Sequence, residues 1–202
     1  MTSGVVTRRL RCLRPVLREW VNANRRLGRA WQADKDTPWW YNERALISVF
    51  AGAIWRLGGD AFEEFSEGKR GRRKRVHAGR VDLRFSVNGN GFKAEVKQCW
   101  PSCATRSDPV SLVSRGMEKA KRDVGRCPPT DFRRLAILFG VPYLKKKSRP
   151  ELPDRISWTI EQAKLVEADA LAWVFPNLPT PPIMRDYIYP GIIVWVKEVK
   201  KS

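Results

Sequence analysis

The chain has 202 residues, 43% of them hydrophobic, which is enough apolar material for one sizeable packed domain. Its formal net charge of +18 indicates a polyanionic partner, and nucleic acid is favoured over an anionic membrane surface. No apolar run approaches the roughly 18 residues of a membrane span and no signal-peptide core is visible, so we expect a cytoplasmic location and no membrane partner. Four scattered cysteines and a single histidine lack zinc-ligand spacing and argue against catalytic-triad chemistry.

Residues 1–36 are predicted to be a basic helical segment added to a main domain at residues 37–202. Apolar residues recur along it at alternating spacings of four and three, with one asparagine among them. These residues are Val6, Leu10, Leu13, Leu17, Trp20, Asn24 and Leu27. Packing of this seam on the protein's own core is favoured, and contact with a second copy or another protein is the alternative.

Residues 41–57 form the next predicted helix, because Leu46, Ile47 and Phe50 belong to a broad apolar stripe. Glu43 lies at the N-terminal edge of this stripe. Its carboxylate either benefits from the helix dipole or points into a site. Residues 61–65 form the first predicted strand.

A basic segment follows, with seven lysines and arginines and no acid between Lys69 and Arg80. Its glycines predict an irregular backbone. The segment is either a solvated loop or an arm that contacts phosphates, and a second basic loop lies at residues 145–149. The candidate nucleic-acid ligands are Lys69, Arg70, Arg72, Arg73, Lys74, Arg75, Arg80, Lys145, Lys146 and Lys147.

Two strand-like runs, at residues 81–87 and 92–98, flank an Asn-Gly pair. Alternation along the second run places Glu95 and Lys97 on one face of a sheet. A two-residue turn at Asn88-Gly89 is the strongest short hairpin signal. It would set Asp82 directly opposite Glu95, with the two residues about 5 Å apart.

The alternative turns change this geometry. A turn at Gly89-Asn90 would leave the two acids diagonal to each other, and a turn at Asn90-Gly91 would separate them too far to share an ion. With the first turn, two carboxylates and a lysine can hold a divalent metal and activate a water. The alternative without a functional role is a cross-strand ion pair on the surface, which would stabilise the sheet by roughly 0.2–1 kcal/mol.

The remaining elements alternate between helices and apolar strands. Helices are predicted at residues 110–124 and 158–167, and strands at 133–140, 170–175 and 192–199. The order predicts an α/β fold with a central mixed β-sheet flanked by helices.

A second Glu-x-Lys, at Glu198 and Lys200, provides an internal comparison. A predicted two-residue turn at Pro190-Gly191 puts the upstream Asp186 on the opposite face from Glu198. Only the first set of residues is therefore expected to converge.

The spacing of Asp82, Glu95 and Lys97 resembles the signature of the PD-(D/E)XK nuclease superfamily, although Val81 stands where the superfamily's name has proline. The order of elements over roughly residues 40–175 also resembles that superfamily's common core. The resemblance implies a restriction-endonuclease-like core with an added N-terminal helix. It further implies hydrolysis of phosphodiester bonds, with DNA favoured over RNA as the substrate.

The resemblance also implies roles for individual residues. Asp82 and Glu95 would bind Mg²⁺, with Mn²⁺ as a substitute and the Val96 carbonyl as a further ligand. Lys97 would orient or help to deprotonate the attacking water, and Glu43 matches the helix acid that completes the metal site.

Gln98 is a secondary candidate for a substrate-binding or structural role, because its side chain points away from the Lys97 face. Two other functions stay open at this stage. One is a nucleic-acid-binding protein that keeps the fold without cleavage. The other is a basic structural or assembly protein.

Overall fold

The computed structural model describes residues 2–70, 76–128, 130–178 and 181–200. Its α-helices are α1 (Arg14–Ala30), α2 (Glu43–Trp55), α3 (Pro109–Gly125) and α4 (Leu152–Leu165). Its first five strands are β1 (Thr2–Thr7), β2 (Asp60–Arg70), β3 (Val76–Val87), β4 (Asn90–Cys99) and β5 (Arg133–Gly140). The later strands are β6 (Leu144–Lys145), β7 (Ala170–Phe175), β8 (Ile183–Met184), β9 (Tyr187–Ile188) and β10 (Ile192–Val199). Short 3₁₀ turns occupy Arg11–Leu13, Pro38–Trp40 and Lys146–Glu151.

Seven strands form one central sheet in the order β1-β7-β10-β5-β4-β3-β2, and β6, β9 and β8 form a small second sheet. Strands β4 and β5 run parallel. The other neighbouring pairs of the central sheet run antiparallel. The predicted α/β class with a mixed central sheet is confirmed.

Helices cover both faces of the central sheet. Leu17 of α1 and Phe50 of α2 pack with Val96 of β4 on one face. On the other face, Met117 of α3 and Ile160 of α4 lie in the cluster that includes β5. Because neighbouring residues of a strand point to opposite faces, the residues next to Val96 face the α3 side.

The prediction of a helix from the chain start was wrong for residues 2–7, which form the edge strand β1. This strand pairs antiparallel with β7, from Thr2 opposite Phe175 to Thr7 opposite Ala170. Its sequence, TSGVVT, contains β-branched residues that favour extended backbone, and pairing with β7 satisfies its polar groups.

The apolar seam of residues 1–36 packs on the protein's own core, as favoured. Leu13, Leu17 and Trp20 are fully buried in the main core cluster, and Asn24 is 1% exposed. Pro15 lies in the first turn of α1, where a helix accommodates proline. Segment 1–36 therefore contributes one strand and one helix to the same sheet and core as the rest of the chain.

The basic segment is not irregular where the structure describes it. Strand β2 continues to Arg70 and β3 begins at Val76, with Lys69 paired opposite His77. The two strands form a hairpin at the edge of the sheet. Arg72, Arg73, Lys74 and Arg75 lie outside the described residues.

The predicted Pro190-Gly191 hairpin was also wrong. Strand β9 pairs with β6 and β8 in the small sheet. Strand β10 pairs with β5 and β7. Asp186 lies in the turn between β8 and β9 of the small sheet, whereas Glu198 lies in β10 of the central sheet. Within the described ranges, no helix combines the length and the apolar character needed to cross a membrane.

Candidate active site

The hairpin between β3 and β4 has the predicted two-residue turn. Val87 pairs with Asn90 across it. Asn88 and Gly89 have φ angles of 49° and 72°. Positive φ at both central residues is what a type I′ turn requires, and Asn-Gly is the sequence that adopts it most readily. The alternative turns at Gly89-Asn90 and Asn90-Gly91 are excluded.

The ladder between these strands ends just before the predicted acid pair. Its last pair is Leu83 with Ala94, so Asp82 and Glu95 are not backbone partners. Instead, Asp82 Oδ2 accepts a hydrogen bond of 2.7 Å from the backbone N–H of Val96. The carboxylate of Asp82 thus occupies the place of a ladder hydrogen bond and holds β4 at the point where the strands diverge.

The side-chain alternation of β3 changes at Asp82. Leu83 and Phe85 lie in the core under α1 and α2. Val81 packs with Val124 and Cys127 at the end of α3. On the adjoining strand β2, Glu64 has a φ of 53°, an uncommon value for a non-glycine residue. The sheet is therefore distorted around the candidate site.

Lys97 lies between two carboxylates. Its Nζ donates a hydrogen bond of 2.7 Å to the Val96 carbonyl. The same Nζ is 3.6 Å from Asp82 Oδ2 and 3.7 Å from Asp123 Oδ2. The three side chains are 19%, 20% and 24% exposed, so the group is partly enclosed but open to solvent.

Sequence reasoning missed Asp123. It lies on α3 and also pairs with Arg126, at 3.3 Å between Nη1 and Oδ1. An i,i+3 pair on a helix is an ordinary surface feature, so no pattern in the chain distinguished this acid. Only the packing of α3 against β4 brings Asp123 to Lys97.

Glu95 lies on the same side of β4 as Lys97, as the alternation predicts. It pairs in register with Ala136 of β5 and is only 3% exposed. Glu95 is thus more deeply enclosed than Asp82 or Lys97.

Glu43 reaches the site from the first turn of α2. Asn42 caps this helix by accepting a hydrogen bond of 3.1 Å from the Ala45 N–H. Burial raises the pKa of Glu43 above its ordinary value of 4.5, Lys97 lowers it, and the Asp82 charge raises it again. These influences show that Glu43 shares the electrostatic environment of Asp82 and Lys97.

Gln98 connects β4 to the start of α2. Its side-chain amide donates a hydrogen bond of 2.9 Å to the Tyr41 carbonyl. A hydrogen bond from the Gln98 backbone also lowers the pKa of Glu43. Gln98 therefore helps to position Glu43. The Gln98 side chain lies on the opposite side of β4 from the Lys97 side chain.

Among the candidate phosphate ligands, the structure describes the side chains of Arg80 and of the three lysines at residues 145–147. Arg80 is exposed and bonds to Glu64 at 3.2 Å. The three lysines at residues 145–147 are exposed beside the small sheet, where the Lys146 N–H donates to the Asp186 carbonyl at 2.7 Å.

The oxygen donors at the site suit a hard cation such as Mg²⁺. The Asp82 carboxylate and the Val96 carbonyl already attract one cationic group, the ammonium of Lys97. In the part of the chain that the structure describes, no three His, Cys, Asp or Glu side chains are grouped closely enough to hold a metal ion.

The site combines the partly exposed carboxylates of Asp82 and Asp123 with the Lys97 ammonium, which donates to the Val96 carbonyl. Glu95, on the same side of β4 as Lys97, is the less exposed acid. Carboxylates can hold a divalent cation, and a lysine can orient a water or stabilise developing negative charge. No protein-family model, no curated protein and no solved structure matches this chain.

Proposed function

We propose that this protein is a metal-dependent nuclease that hydrolyses phosphodiester bonds, with DNA as the expected substrate. The observation that carries the proposal is the contact of Lys97 with Asp82 and with the Val96 carbonyl at the diverging end of a hairpin. A plain surface ion pair does not require a strand-interrupting carboxylate of this kind, which bonds the Val96 N–H.

The order of elements around this contact supports the proposal. Helix α2 carries Glu43, β3 and β4 carry Asp82 and Lys97, and α3 leads to β5, which is parallel to β4. This order is similar to the common core of the PD-(D/E)XK nucleases, with the N-terminal β1 and α1 as additions.

The residues present fit Mg²⁺ or Mn²⁺ through their oxygen donors. Asp82 and the Val96 carbonyl would hold the ion, and Glu43 or Glu95 would supply a second carboxylate. Mg²⁺ commonly uses only one or two protein carboxylates and keeps several waters, so a group of three acids is not required. When bound, the ion neutralises phosphate charge and lowers the pKa of its water.

The protein's own residues have separate tasks. Asp82 orients β4 by accepting the Val96 N–H through Oδ2, the same oxygen that lies 3.6 Å from Lys97 Nζ. Lys97 is placed to orient the attacking water and to stabilise charge on the phosphate. Asp123 holds the Lys97 ammonium from the α3 side, and is therefore a positioning residue.

The test measures cleavage of plasmid, linear duplex and single-stranded DNA with Mg²⁺, with Mn²⁺ and with chelator. We expect wild type to cleave only with metal. Lys97→Met and Asp82→Asn should each lower the rate at least roughly 100-fold, a size typical of losing a positioned acid–base group. Nucleic-acid binding should persist in both variants, because neither residue is part of the exposed basic surface.

Calorimetry supplies a second readout that does not depend on activity. Lys97 competes for the oxygens that would hold the ion, so Lys97→Met should bind Mn²⁺ at least as well as wild type. Asp82→Asn should bind it more weakly. Lys200→Met, the same change in the other Glu-x-Lys, is the matched control and should keep full activity.

Three outcomes would contradict the proposal. Metal-dependent cleavage that survives in Lys97→Met would show that the chemistry lies elsewhere or belongs to a contaminant. Salt-sensitive nucleic-acid binding with no cleavage under any condition would favour the non-cleaving protein instead. Association with a protein partner that is insensitive to salt, without affinity for DNA or RNA, would favour the structural role.

A further inference from the structure

Two exposed aromatic side chains stand beside the candidate active site. Tyr41, which is 46% exposed, lies two residues before Glu43, and Trp100, which is 38% exposed, lies three residues after Lys97. Gln98 joins their segments through its hydrogen bond to the Tyr41 carbonyl. The two rings are therefore carried by chain segments that meet at Gln98, which is next to Lys97, and the Tyr41 segment is close in sequence to Glu43.

Both rings are held in place from behind. The Tyr41 hydroxyl donates a hydrogen bond of 2.6 Å to Asp36. Trp100 meets Tyr189 edge to face at 5.5 Å between ring centroids. Trp39, which is fully buried, donates its indole N–H to the Tyr189 carbonyl at 3.1 Å. Rings fixed in this way lose little conformational freedom when a flat ligand stacks on them.

Cationic side chains approach the site from the other direction. Arg115, Lys119 and Arg122 are exposed on α3 at spacings of four and three, which places them along one side of the helix. Lys119 lowers the pKa of Glu43, so its charge reaches the candidate site. Asp123 follows directly after this row and contacts Lys97.

We propose that the site takes single-stranded nucleic acid, with phosphates along the α3 cations and unpaired bases stacked on Tyr41 and Trp100. The inference rests on the proposed function for the chemistry of the site. The observations behind the inference do not depend on that function. They are the exposed, braced aromatic rings on one side of the acid–lysine group and the α3 cations on the other.

The choice of a single strand follows from what each surface can recognise. Bases in a duplex are stacked on one another and offer no free faces to an aromatic ring. Unpaired bases do, and stacking on an aromatic side chain stabilises binding whatever the base. The shared chemistry is the unpaired base, which single-stranded DNA and RNA both provide.

The test measures binding by fluorescence anisotropy in chelator, so that cleavage does not contribute. Wild type and the double variant Tyr41→Ala/Trp100→Ala are compared on single-stranded DNA, single-stranded RNA and duplex DNA of one sequence. We expect the double variant to lose at least roughly tenfold in affinity for a single strand, from the usual stacking contribution, with little change on duplex. Loss on DNA alone or RNA alone would assign the source of the strand.

Matched controls separate stacking from other effects. Trp55→Ala removes an indole that is 58% exposed at the far end of α2, about 18 Å from Glu43 by helix rise. It should bind like wild type. Tyr41→Phe/Trp100→Phe keeps both rings and should retain most single-strand affinity.

Photochemical crosslinking provides a readout that needs no substitution and so holds even if the alanine variant fails to fold. A strand that carries 5-iodouracil should form adducts at Tyr41 or Trp100 of wild type on irradiation. Adducts confined to other residues, or equal loss of single-strand and duplex affinity in the double variant, would overturn the inference. Because binding is measured without metal, these results stand whether or not the cleavage test succeeds.

Discussion

Asp82 and Lys97 meet because of conformational details at a few neighbouring residues. Asn88 and Gly89 accept positive φ, which closes the turn in the shortest register. The Asp82 carboxylate then accepts the hydrogen bond of the Val96 N–H, in place of a backbone carbonyl of the partner strand. On the same residue, the Val96 carbonyl accepts a hydrogen bond from Lys97 Nζ. The sequence was sufficient to predict this turn, because Asn-Gly is a strong local signal.

Other residues of the site could not be predicted from local signals. Asp123 meets Lys97 only through the packing of α3 on β4, and a helix surface carries no mark of such a contact. The change of side-chain alternation at Asp82 was likewise invisible, because strict alternation was assumed along β3. The direct Asp82–Glu95 pairing predicted from the two-residue turn is not part of the ladder, which ends at Leu83 and Ala94.

At Glu43, the raised pKa predicts a pH dependence of stability. The folded protein holds this proton more tightly than the unfolded chain does. Stability from this group is therefore lost as pH rises from the ordinary value of 4.5 through the higher folded value. We expect Glu43→Gln, which cannot titrate, to gain stability relative to wild type across that window. Urea unfolding at a series of pH values up to neutrality measures the difference.

The matched control for this prediction is Glu118→Gln, which removes one exposed carboxylate from α3. A stability difference between Glu43→Gln and wild type that stays constant with pH, or shrinks as pH rises, would contradict the prediction. It would mean that Glu43 is well solvated in the folded protein, and its place in the site would lose support.

Among the elements, β1 is the one for which the apolar spacing predicted a helix and the structure has a strand. The apolar spacing that predicted a helix from Val6 onwards is real only from Leu10, within the buried seam that continues into α1. Val6, the position before it, fits the same spacing by chance, and pairing with β7 decides its conformation. Short segments of this kind depend on a distant partner strand that no local pattern reveals.

The β2–β3 hairpin shows the same dependence. Glycines and basic residues predicted an irregular segment, yet β2 extends to Arg70 because β3 supplies a partner for its backbone. The central strand β5 was predicted with its observed bounds, since its continuous apolar run after Arg134 leaves few alternatives.

Strands β2 and β4 are linked by an ion pair at a buried lysine. Lys93 is 3% exposed and bonds the Glu67 carboxylate, and its Nζ lies 5.7 Å from the Phe132 ring centroid. Removing the partner charge leaves an enclosed ammonium without compensation. We expect Glu67→Gln to lower the free energy of unfolding by about 3 kcal/mol, the lower end for a broken buried pair. Urea denaturation with an unchanged m-value measures this loss.

A double variant distinguishes the loss of a pair from a general weakening of β2. Glu67→Gln/Lys93→Met removes both charges and should recover most of the stability. Glu63→Gln is the matched single control, since Glu63 lies on the same strand and accepts a hydrogen bond of 3.2 Å from the Ser48 hydroxyl. If the double variant were no more stable than Glu67→Gln, the buried charge would not be the cause.

The chain carries a net charge of +18, and among the described residues exposed cations lie on both faces of the sheet. Arg14 and Arg18 are exposed on α1, which packs on the Val96 face. Lys97 points to the other face, the side that α3 covers. Net charge alone predicts nucleic-acid binding but not where the strand runs, because every exposed cation contributes to the long-range field.

Salt dependence can locate the bound strand on this surface. Each phosphate contact contributes about 0.7 to the slope of log affinity against log salt for a single strand. We expect Arg115→Gln/Lys119→Gln to lower the slope by about 1.4, since both would contact phosphates beside the site. Arg14→Gln/Arg18→Gln removes the same charge from the opposite face and should change the slope much less. Equal slopes in the two variants would show that the strand has no preferred path over α3, and a larger effect at α1 would place its path on the other face of the sheet.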